Sequence, residues 1–392
     1  MDKYDVIIVG CGPAGATAGY LLGGFGFKSV LIDKSIFPRR KLCGGVLTRK
    51  TLRLLERVFD ETALSLIRKN IINYISNSYD IFFRENLLAH GTSPFPFYFV
   101  DRYSYDYCLL EKAKKLGVTV LEGEKVKGID LDSNVVSTST GRKLKARFII
   151  GADGAQSVVR KNFPDTHFNK IKWEYNLATA LEIFIPRSEV QKSISHPIIH
   201  FGYIDWGYSW IFPNKNEIII GLGGLNRMNN KRFIELFDKY LSALDLFPGM
   251  KKTQWMKIHG HLIPCGNAVQ KPAYHNAILV GDAAGFPDPI SGEGIYQAQR
   301  SAEIASLSIY RSMNTGASLE KTYLKLLQEY IFPEIFHAKM LRWFVFNSLN
   351  KLNLNNIRWL TRHGEKCAID IIHGLRSYKF LQRIDGIHGD RA

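Results

Sequence analysis

Residues 4–33, YDVIIVGCGPAGATAGYLLGGFGFKSVLID, leave this chain little choice of fold. Val6, Ile7, Ile8 and Val9 form an unbroken apolar run that ends in glycine, the pattern of a parallel strand buried on both faces. The small residues Ala14, Ala16 and Ala18 then let a helix lie close against that strand. Gly10, Gly12 and Gly15 supply G-x-G-x-x-G: the first glycine makes the tight turn, the second lets backbone approach a pyrophosphate, and the third packs helix on strand. Phosphate charge would sit on the unpaired N–H groups at the helix start. Asp33 ends the next strand, 18 residues after Gly15, where a carboxylate accepts ribose hydroxyls. A glycine fingerprint alone is weak; with the strand before it, the helix after it and the acid at this distance, it predicts a dinucleotide-binding unit.

A chain of 392 residues with 46% apolar residues has room for two to three domains and a large core. The five cysteines (Cys11, Cys43, Cys108, Cys265 and Cys367) are scattered and odd in number, which argues against a disulfide framework or a zinc site and for a reducing, cytoplasmic setting. Neither a signal peptide nor a bilayer-spanning apolar run is expected. The net charge of +16 fits nucleic acid, anionic lipid or phosphorylated ligands. Without a helix-turn-helix, zinc-finger or RNP signature, a membrane surface or diphosphate-bearing ligand fits better than nucleic acid.

Taken in order, the chain next offers a basic loop, FPRRKLCGG. Arg39, Arg40 and Lys41 either neutralise a pyrophosphate or form a solvated loop, and Cys43 either touches a ligand or is a small buried residue. Gly44 and Gly45 admit backbone close to a flat ligand. Residues 71–100 read as strands (IINYIS, YDIFF, FYFV), and a helix is expected over 104–115, with Arg102 just ahead of it, either reaching back to the nucleotide turn or lying on the surface. The run IIGADGAQSVVR places Asp153 after a buried strand, as a ribose or ribityl partner or as a helix cap. Residues 171–257 read as long aromatic-rich strands without long helices, hence an antiparallel sheet. Within them Tyr208, Trp210 and Phe212 alternate ahead of Pro213 and share one strand face, as core or as a binding wall. Gly221, Gly223 and Gly224 do not make a second nucleotide turn, because Asn226 stands where its third glycine belongs. The run AILVGDAAGFPDPISGEGI gives Asp282 at a strand end and, with Gly292, Gly294 and Ile295, a helix start able to stabilise a developing anion. The last part, from 319, is helical, aromatic and basic: a cap on the body or a face resting on an anionic membrane.

In this order the GCGPAG turn, the CGG loop, the R-x-x-x-D start at Arg102 and Asp106, the ADG turn, the GYSWIFP strand and the GDAAGFPDPISGEGI loop resemble the flavin-dependent oxidoreductases related to para-hydroxybenzoate hydroxylase. Within them the chain resembles the geranylgeranyl reductase family, through the Y-x-W-x-F-P strand and the CGG loop. In that family a proline stands three residues ahead of the tyrosine, where this chain has Asp205. The resemblance implies a Rossmann-like α/β FAD-binding domain with an inserted antiparallel-sheet substrate domain and a C-terminal helical segment. The FAD domain is expected from 1–70, 101–165 and 270–318, the substrate domain from 71–100 and 166–269, and the helical region from 319–392. It implies FAD held by Gly10, Gly12, Ala14, Gly15, Asp33, Arg40, Cys43, Gly44, Arg102, Val126, Asp153, Asp282, Gly292, Gly294 and Ile295. It implies a prenyl chain against Gly45, Tyr208, Trp210, Phe212 and Pro213, with Cys43 shaping the flavin face or relaying a proton.

The expected activity is saturation of carbon–carbon double bonds in a geranylgeranyl or polyprenyl chain, carried by a diphosphate, lipid, chlorophyll precursor or quinone. The alternatives are an aromatic or polyketide monooxygenase and an electron-transfer or lipid-binding flavoprotein. The expected electron donor is NADPH or reduced ferredoxin, and the expected partners are the polyprenyl substrate, an electron-donor protein and an anionic membrane to which the chain is peripheral; nucleic acid is not among them, nor a metal.

Overall fold

In the computed structural model, which describes residues 1–244, 246 and 257–382, five strands run parallel in the order Thr119–Leu121, Ser29–Ile32, Asp2–Val9, Lys143–Gly151, Ala277–Leu279. Numbered along the chain this is 3-2-1-4-5, the doubly wound order, whose switch point lies between Asp2–Val9 and Lys143–Gly151. Val6, Ile7 and Ile8 are wholly buried, as their unbroken apolar run requires. Helix Pro13–Gly24 packs beside the first strand because its inner positions are small; a Cβ on Gly19 would already stand 2.9 Å from Leu31 Cδ1. Helices Arg102–Lys115 and Ile295–Thr315 flank it. Strands Val126–Asp130 and Val135–Thr138 form an antiparallel meander into Lys143–Gly151.

The second sheet has the order His259–Ile263, Ala178–Pro186, Glu217–Leu225, Gly207–Pro213, Ile198–Phe201, Ile72–Phe83, Asn86–Val100, Val46–Leu47. Its pairs are antiparallel except Ile198–Phe201, which runs parallel to Ile72–Phe83. Strand Ile72–Phe83 unites two apolar runs that read separately in sequence, since register shifts at Ile72/Tyr74 and Ser76/Ser78 absorb the breaks in alternation. Val46–Leu47, in the first nucleotide-binding segment, also joins this sheet, by pairing with Phe99 and Tyr98. The glycines at 221, 223 and 224 lie inside a regular strand.

One expectation changes. The region after 171 contains helix Phe233–Ala243, whose Phe233, Phe237, Tyr240 and Leu241 bury one side at helical spacing against the sheet. The signal spans only three turns and is outweighed in sequence by the strands around it. The C-terminal helices pack on both sheets. Leu319–Tyr330 gives Leu319, Tyr323, Leu326 and Leu327 to the core of the first sheet, and the Tyr323 hydroxyl donates to Leu279 O at 2.7 Å. Phe332–Lys351 and Leu354–Ile372 follow, and Ile369 packs with Tyr79, Phe97 and Phe99 of the second sheet. Residues 245, 247–256 and 383–392 of the expected substrate and helical regions lie outside the described residues.

Candidate active site

The glycine turn is closed by sterics on two sides. Gly10 has φ +102°, and a Cβ there would lie 2.4 Å from Ala152 O; one on Gly15 would lie 1.8 Å from Gly10 O. Gly12 is different, since its added Cβ would meet only Arg39 Nη2 at 3.7 Å, so this side stays open to a ligand. Helix Pro13–Gly24 has neither a side-chain cap nor an acid in its first turn, which leaves its N–H groups for an anion. Ala14, buried in that first turn, lies by the second glycine loop: a Cβ on Gly281 would come within 3.5 Å of Ala14 Cβ. Asp33 accepts Cys11 N–H at 2.8 Å and Ser35 N–H at 2.9 Å, which fixes its carboxylate at the strand end.

The basic loop is sorted by the fold. Arg39, not Arg40, stands beside the glycine turn; its Nη1 donates to Asp106 Oδ2 at 3.2 Å. Arg40 is exposed and lends its charge to Glu217, so of the two it is Arg39 that faces the glycine turn. The two side chains point apart because successive residues of an extended loop face opposite ways. Arg102 begins its helix and is buried, with Nε 2.6 Å and Nη2 2.8 Å from the Asp106 carboxylate. Burial opposes its charge, but Asp106 and then Cys43 outweigh burial and hold the guanidinium above its usual range. The Cys43 thiol thus lies between Arg102 and Gly45, whose N–H donates to Sγ at 3.4 Å.

Gly44 and Gly45 each need the absence of a side chain. A Cβ on Gly44 would stand 2.5 Å from the Phe212 ring, and one on Gly45, at φ +67°, would stand 2.1 Å from Val100 O. This brings the CGG loop against the aromatic strand. Trp210 lies 5.6 Å from Tyr208 and 6.2 Å from Phe212, centroid to centroid, so the expected three-ring row exists on one face. Pro213 ends the strand opposite Ile218. The Tyr208 hydroxyl donates to Ser291 O, tying the row to the loop before helix Ile295–Thr315.

Opposite, Gly292 has φ +67°, Gly294 is the N-cap, and Ile295 is the buried first residue of that helix. This helix too has no capping side chain and no acid in its first turn. Asp282 stands over it, Oδ1 being 3.3 Å from where a Gly294 Cβ would be. Asp153 Oδ2 accepts Val158 N–H at 2.6 Å, so it does cap a short turn, while its Oδ1 is buried without a partner. Burial raises the Asp153 carboxyl despite the Ser157 hydroxyl and the Val158 N–H. Val126 lies in the core of the first sheet, at a register shift against Thr138 and away from these groups in sequence.

Three groups carried no signal in the sequence. Arg160 is wholly buried, donates to Ala283 O at 2.8 Å and Ala155 O at 2.7 Å, and lies 3.6 Å from the Trp173 ring centre. It clamps the ADG and GDAAG turns together; burial pushes it down to about 10 against the pull of Asp153 and Asp282. Glu182 pairs across the sheet with Gly221, which pairs with Trp210, so all three share a face. Gly221 is small because the indole lies over it: an added Cβ would be 2.3 Å from Trp210 Cε2. Burial pushes Glu182 up to about 7, although Trp210, the Cys43 backbone and Arg102 oppose the rise. Even so, Glu182 Oε2 and Trp210 Nε1 lack hydrogen-bond partners. On the same face His261 is half-buried, its Nε2 buried and unpartnered, and desolvation, then Lys41, pushes it down to about 4. The polar side chains opposite a glycine or within an apolar strand could have been found from the sequence only with the register in hand.

A phosphate-ready glycine turn, a second uncapped helix start, cradles that a Cβ would fill, and orphaned buried atoms at Asp153, Glu182, Trp210 and His261 together fit an extended flavin nucleotide. Residues 3–201 match the FAD-binding-domain family. A geranylgeranyl diphosphate reductase of Rhodobacter capsulatus is 28% identical over 80% of this chain and 77% of its own length. The chain belongs to the geranylgeranyl reductase family of FAD-dependent oxidoreductases. An uncharacterized protein of Methanosarcina barkeri is 32% identical over 81% of this chain and 77% of its own. A geranylgeranyl bacteriochlorophyll reductase-like protein of Thermoplasma acidophilum shares the fold, with TM-score 0.75 and 19% identity over 97% of this chain and 94% of that one. This flavoprotein is therefore an oxidoreductase whose cofactor is FAD. Among its described residues no helix is long and apolar enough to cross a membrane.

Proposed function

We propose that this flavoprotein saturates carbon–carbon double bonds of a polyprenyl chain. The observation that carries this reading is the aromatic row Tyr208, Trp210 and Phe212 closing on the Cys43–Gly44 loop, an apolar wall at the point where the flavin residues converge. An isolated prenyl double bond offers no polar handle, so a wall of rings must position it and exclude water. Each CH2 buried there contributes about 0.8 kcal/mol. Reduced FAD supplies the hydride. The proton for the other carbon comes from this chain: the Glu182 carboxyl, pushed up to about 7 by burial and so partly protonated at neutral pH, is the reservoir beside Trp210, and the Cys43 thiol is held by Arg102 and Gly45. In the same reading Gly10, Gly12, Gly15, Asp33, Arg39, Asp153 and Asp282 hold the cofactor. NADPH or reduced ferredoxin delivers the electrons, the latter favoured by the basic surface of a chain with net charge +16.

The test is anaerobic: dithionite-reduced, FAD-loaded protein is mixed with geranylgeranyl diphosphate and with prenylated lipids, and products are weighed by mass spectrometry. Hydrogen pairs gained by the chain are expected. No gain with any of them, together with oxygen-dependent hydroxylation of an aromatic substrate, overturns the reading in favour of a monooxygenase. In the same assay Cys43→Ala is expected to keep FAD and to lose turnover by about 100-fold; undiminished turnover removes Cys43 from the chemistry.

A further inference from the structure

Two imidazoles and a carboxylate converge on the helix side of the second sheet. Asp80 of strand Ile72–Phe83 stands level with His90 of strand Asn86–Val100 and with Ile198 of strand Ile198–Phe201. Ile198 packs on the apolar layer that holds Phe237 and Tyr240, while its neighbour Ile199 is the residue level with Trp210. Asp80 and His90 therefore point to the helix side, away from the aromatic row. Asp80 N–H donates to Pro197 O at 3.0 Å, which brings His196 alongside.

The side chains meet accordingly. Asp80 Oδ1 lies 2.6 Å from His90 Nδ1, and Asp80 Oδ2 lies 2.9 Å from His196 Nε2. The two rings stand edge to face with centroids 5.7 Å apart. One ligand atom from each of the three residues falls within 4.8 Å of the other two. A carboxylate only accepts, so each ring turns an N–H toward it. His196 has a partner on its other side as well: Nδ1 lies 3.1 Å from the Ser195 hydroxyl, which donates to a bare Nδ1 or accepts from a protonated one. The His196 proton thus moves to Nδ1 and keeps a partner when Nε2 takes a cation, the outer contact that orients a metal-bound imidazole.

As an ion-pair triad this arrangement stabilises little, because water competes for partly exposed charges. As a ligand set it suits Zn2+, which takes imidazole and carboxylate together and leaves a position for water beside three protein groups; Mg2+ and Ca2+ prefer oxygen throughout. His90, with its side chain 61% exposed against 22% for His196 and 16% for Asp80, is the open side by which an ion enters, and its ring swings inward onto it. No metal is expected from the sequence: His90 and His196 stand 10 and 116 residues from Asp80, outside any zinc spacing, and only the pairing of the strands joins them.

We propose that Asp80, His90 and His196 bind one divalent transition-metal ion of the zinc class, with water completing its shell. The ion staples the hairpin of strands Ile72–Phe83 and Asn86–Val100 to the start of strand Ile198–Phe201. Its place across the sheet from Trp210 makes its role structural and independent of the prenyl-reductase reading.

The test uses tag-free, FAD-loaded protein stripped with EDTA, desalted, and titrated with Zn2+ by calorimetry, with metal analysis after dialysis. One Zn2+ per chain is expected in wild type, and none at the same free concentration in His90→Gln/His196→Gln. His90→Gln alone, at an exposed position, is expected to weaken Zn2+ by about tenfold or more while its melting temperature in EDTA stays that of wild type. Zn2+ is expected to raise the melting temperature of wild type and not of the double variant. X-ray absorption of the zinc-loaded protein is expected to show nitrogen and oxygen neighbours only. Equal stoichiometry and affinity in wild type and both variants overturns the site; so do sulfur neighbours, which put the ion on a cysteine, and wild type that binds no Zn2+, which leaves an ion-pair triad. Competition by Mg2+ at equal concentration overturns the zinc class. Flavin reduction by dithionite is expected to be the same with and without the ion, and a zinc-dependent change in it overturns the structural role.

Discussion

The two faces of the second sheet are made by the same strands and do opposite work. Toward helix Phe233–Ala243, Leu181, Ile183, Ile211, Ile220 and Leu222 interlock with Phe237 and Tyr240 in an apolar layer. On the other face, one residue away in each strand, stand Glu182, Trp210, Tyr208 and His261, several with buried polar atoms that have no partner in the chain. The first face is what a core looks like when all its needs are met within the fold. The second is stable only as a surface waiting for a ligand, since an unsatisfied buried group costs about 1–3 kcal/mol. Even their titratable groups differ in sign. His200, on the helix side against Tyr240 at 3.1 Å, is pushed down to about 4 by burial, whereas burial pushes Glu182 up to about 7.

Substitution of Ile220 is the strongest way to break this contrast. Ile220→Ala opens a cavity in the packed layer and is expected to cost about 2–5 kcal/mol in urea denaturation, with the FAD affinity of the folded protein unchanged. An equal loss of FAD affinity would mean that the faces are not independent.

The two buried titrating groups sharpen it through pH. For Glu182 the unfolded carboxyl titrates near 4.5 and the folded one at about 7, so the folded form keeps its proton longer; stability is full below 4.5 and is lost as pH rises through 7. His200 runs the other way: its neutral ring is favoured by folding, and stability present above 6.5 is lost as pH falls toward 4. Each contributes at most about 3 kcal/mol across its window. In apoprotein, Glu182→Gln is expected to flatten the loss on the alkaline side only and His200→Asn the loss on the acid side only, as read from denaturation midpoints between pH 4 and pH 8. An unchanged alkaline limb in Glu182→Gln would show that this carboxyl is ordinarily solvated.

Smallest is the effect of one methyl group. Gly221→Ala places a Cβ 2.3 Å from the Trp210 ring, so the indole must move at an expected cost of about 1–3 kcal/mol. The shift is expected in the emission of Trp210, compared with the Gly221→Ala/Trp210→Phe pair, and in weakened prenyl binding. Emission and binding identical to wild type would mean that Gly221 does not shape the wall.

Much of the nucleotide half was legible because its signals are local. The strand, turn and helix of residues 4–33 follow from residue sizes and from the backbone freedom of Gly10, whose φ of +102° no larger residue adopts at ease. The alternation of Tyr208, Trp210 and Phe212 likewise named a shared face before any fold was known. Helix Phe233–Ala243 escaped because three turns of helical spacing are hard to tell from the strands beside them. Arg39 and Arg40 could not be ranked, since residue type and charge are the same and only the loop's path decides which one meets the glycine turn. Asn226 excludes Gly221 from a second nucleotide turn in the sequence alone, but the part of Gly221 as the floor beneath Trp210 belongs to cross-strand register.

By itself the sequence determined the class of the molecule: a doubly wound nucleotide-binding sheet, the flavin-type fingerprint, and a second sheet with an aromatic strand. These are encoded in neighbouring residues, where sterics and period-two or helical spacing act directly. Tertiary structure alone decided that Glu182 meets Trp210 across Gly221, that Arg160 reaches a turn 123 residues further along the chain, and that Lys339 and Arg342 meet at Gly266. Those encounters set burial and charge at a point in space, and no local pattern records them, because which distant residues share a point is fixed only when the strands have paired and the helices have packed.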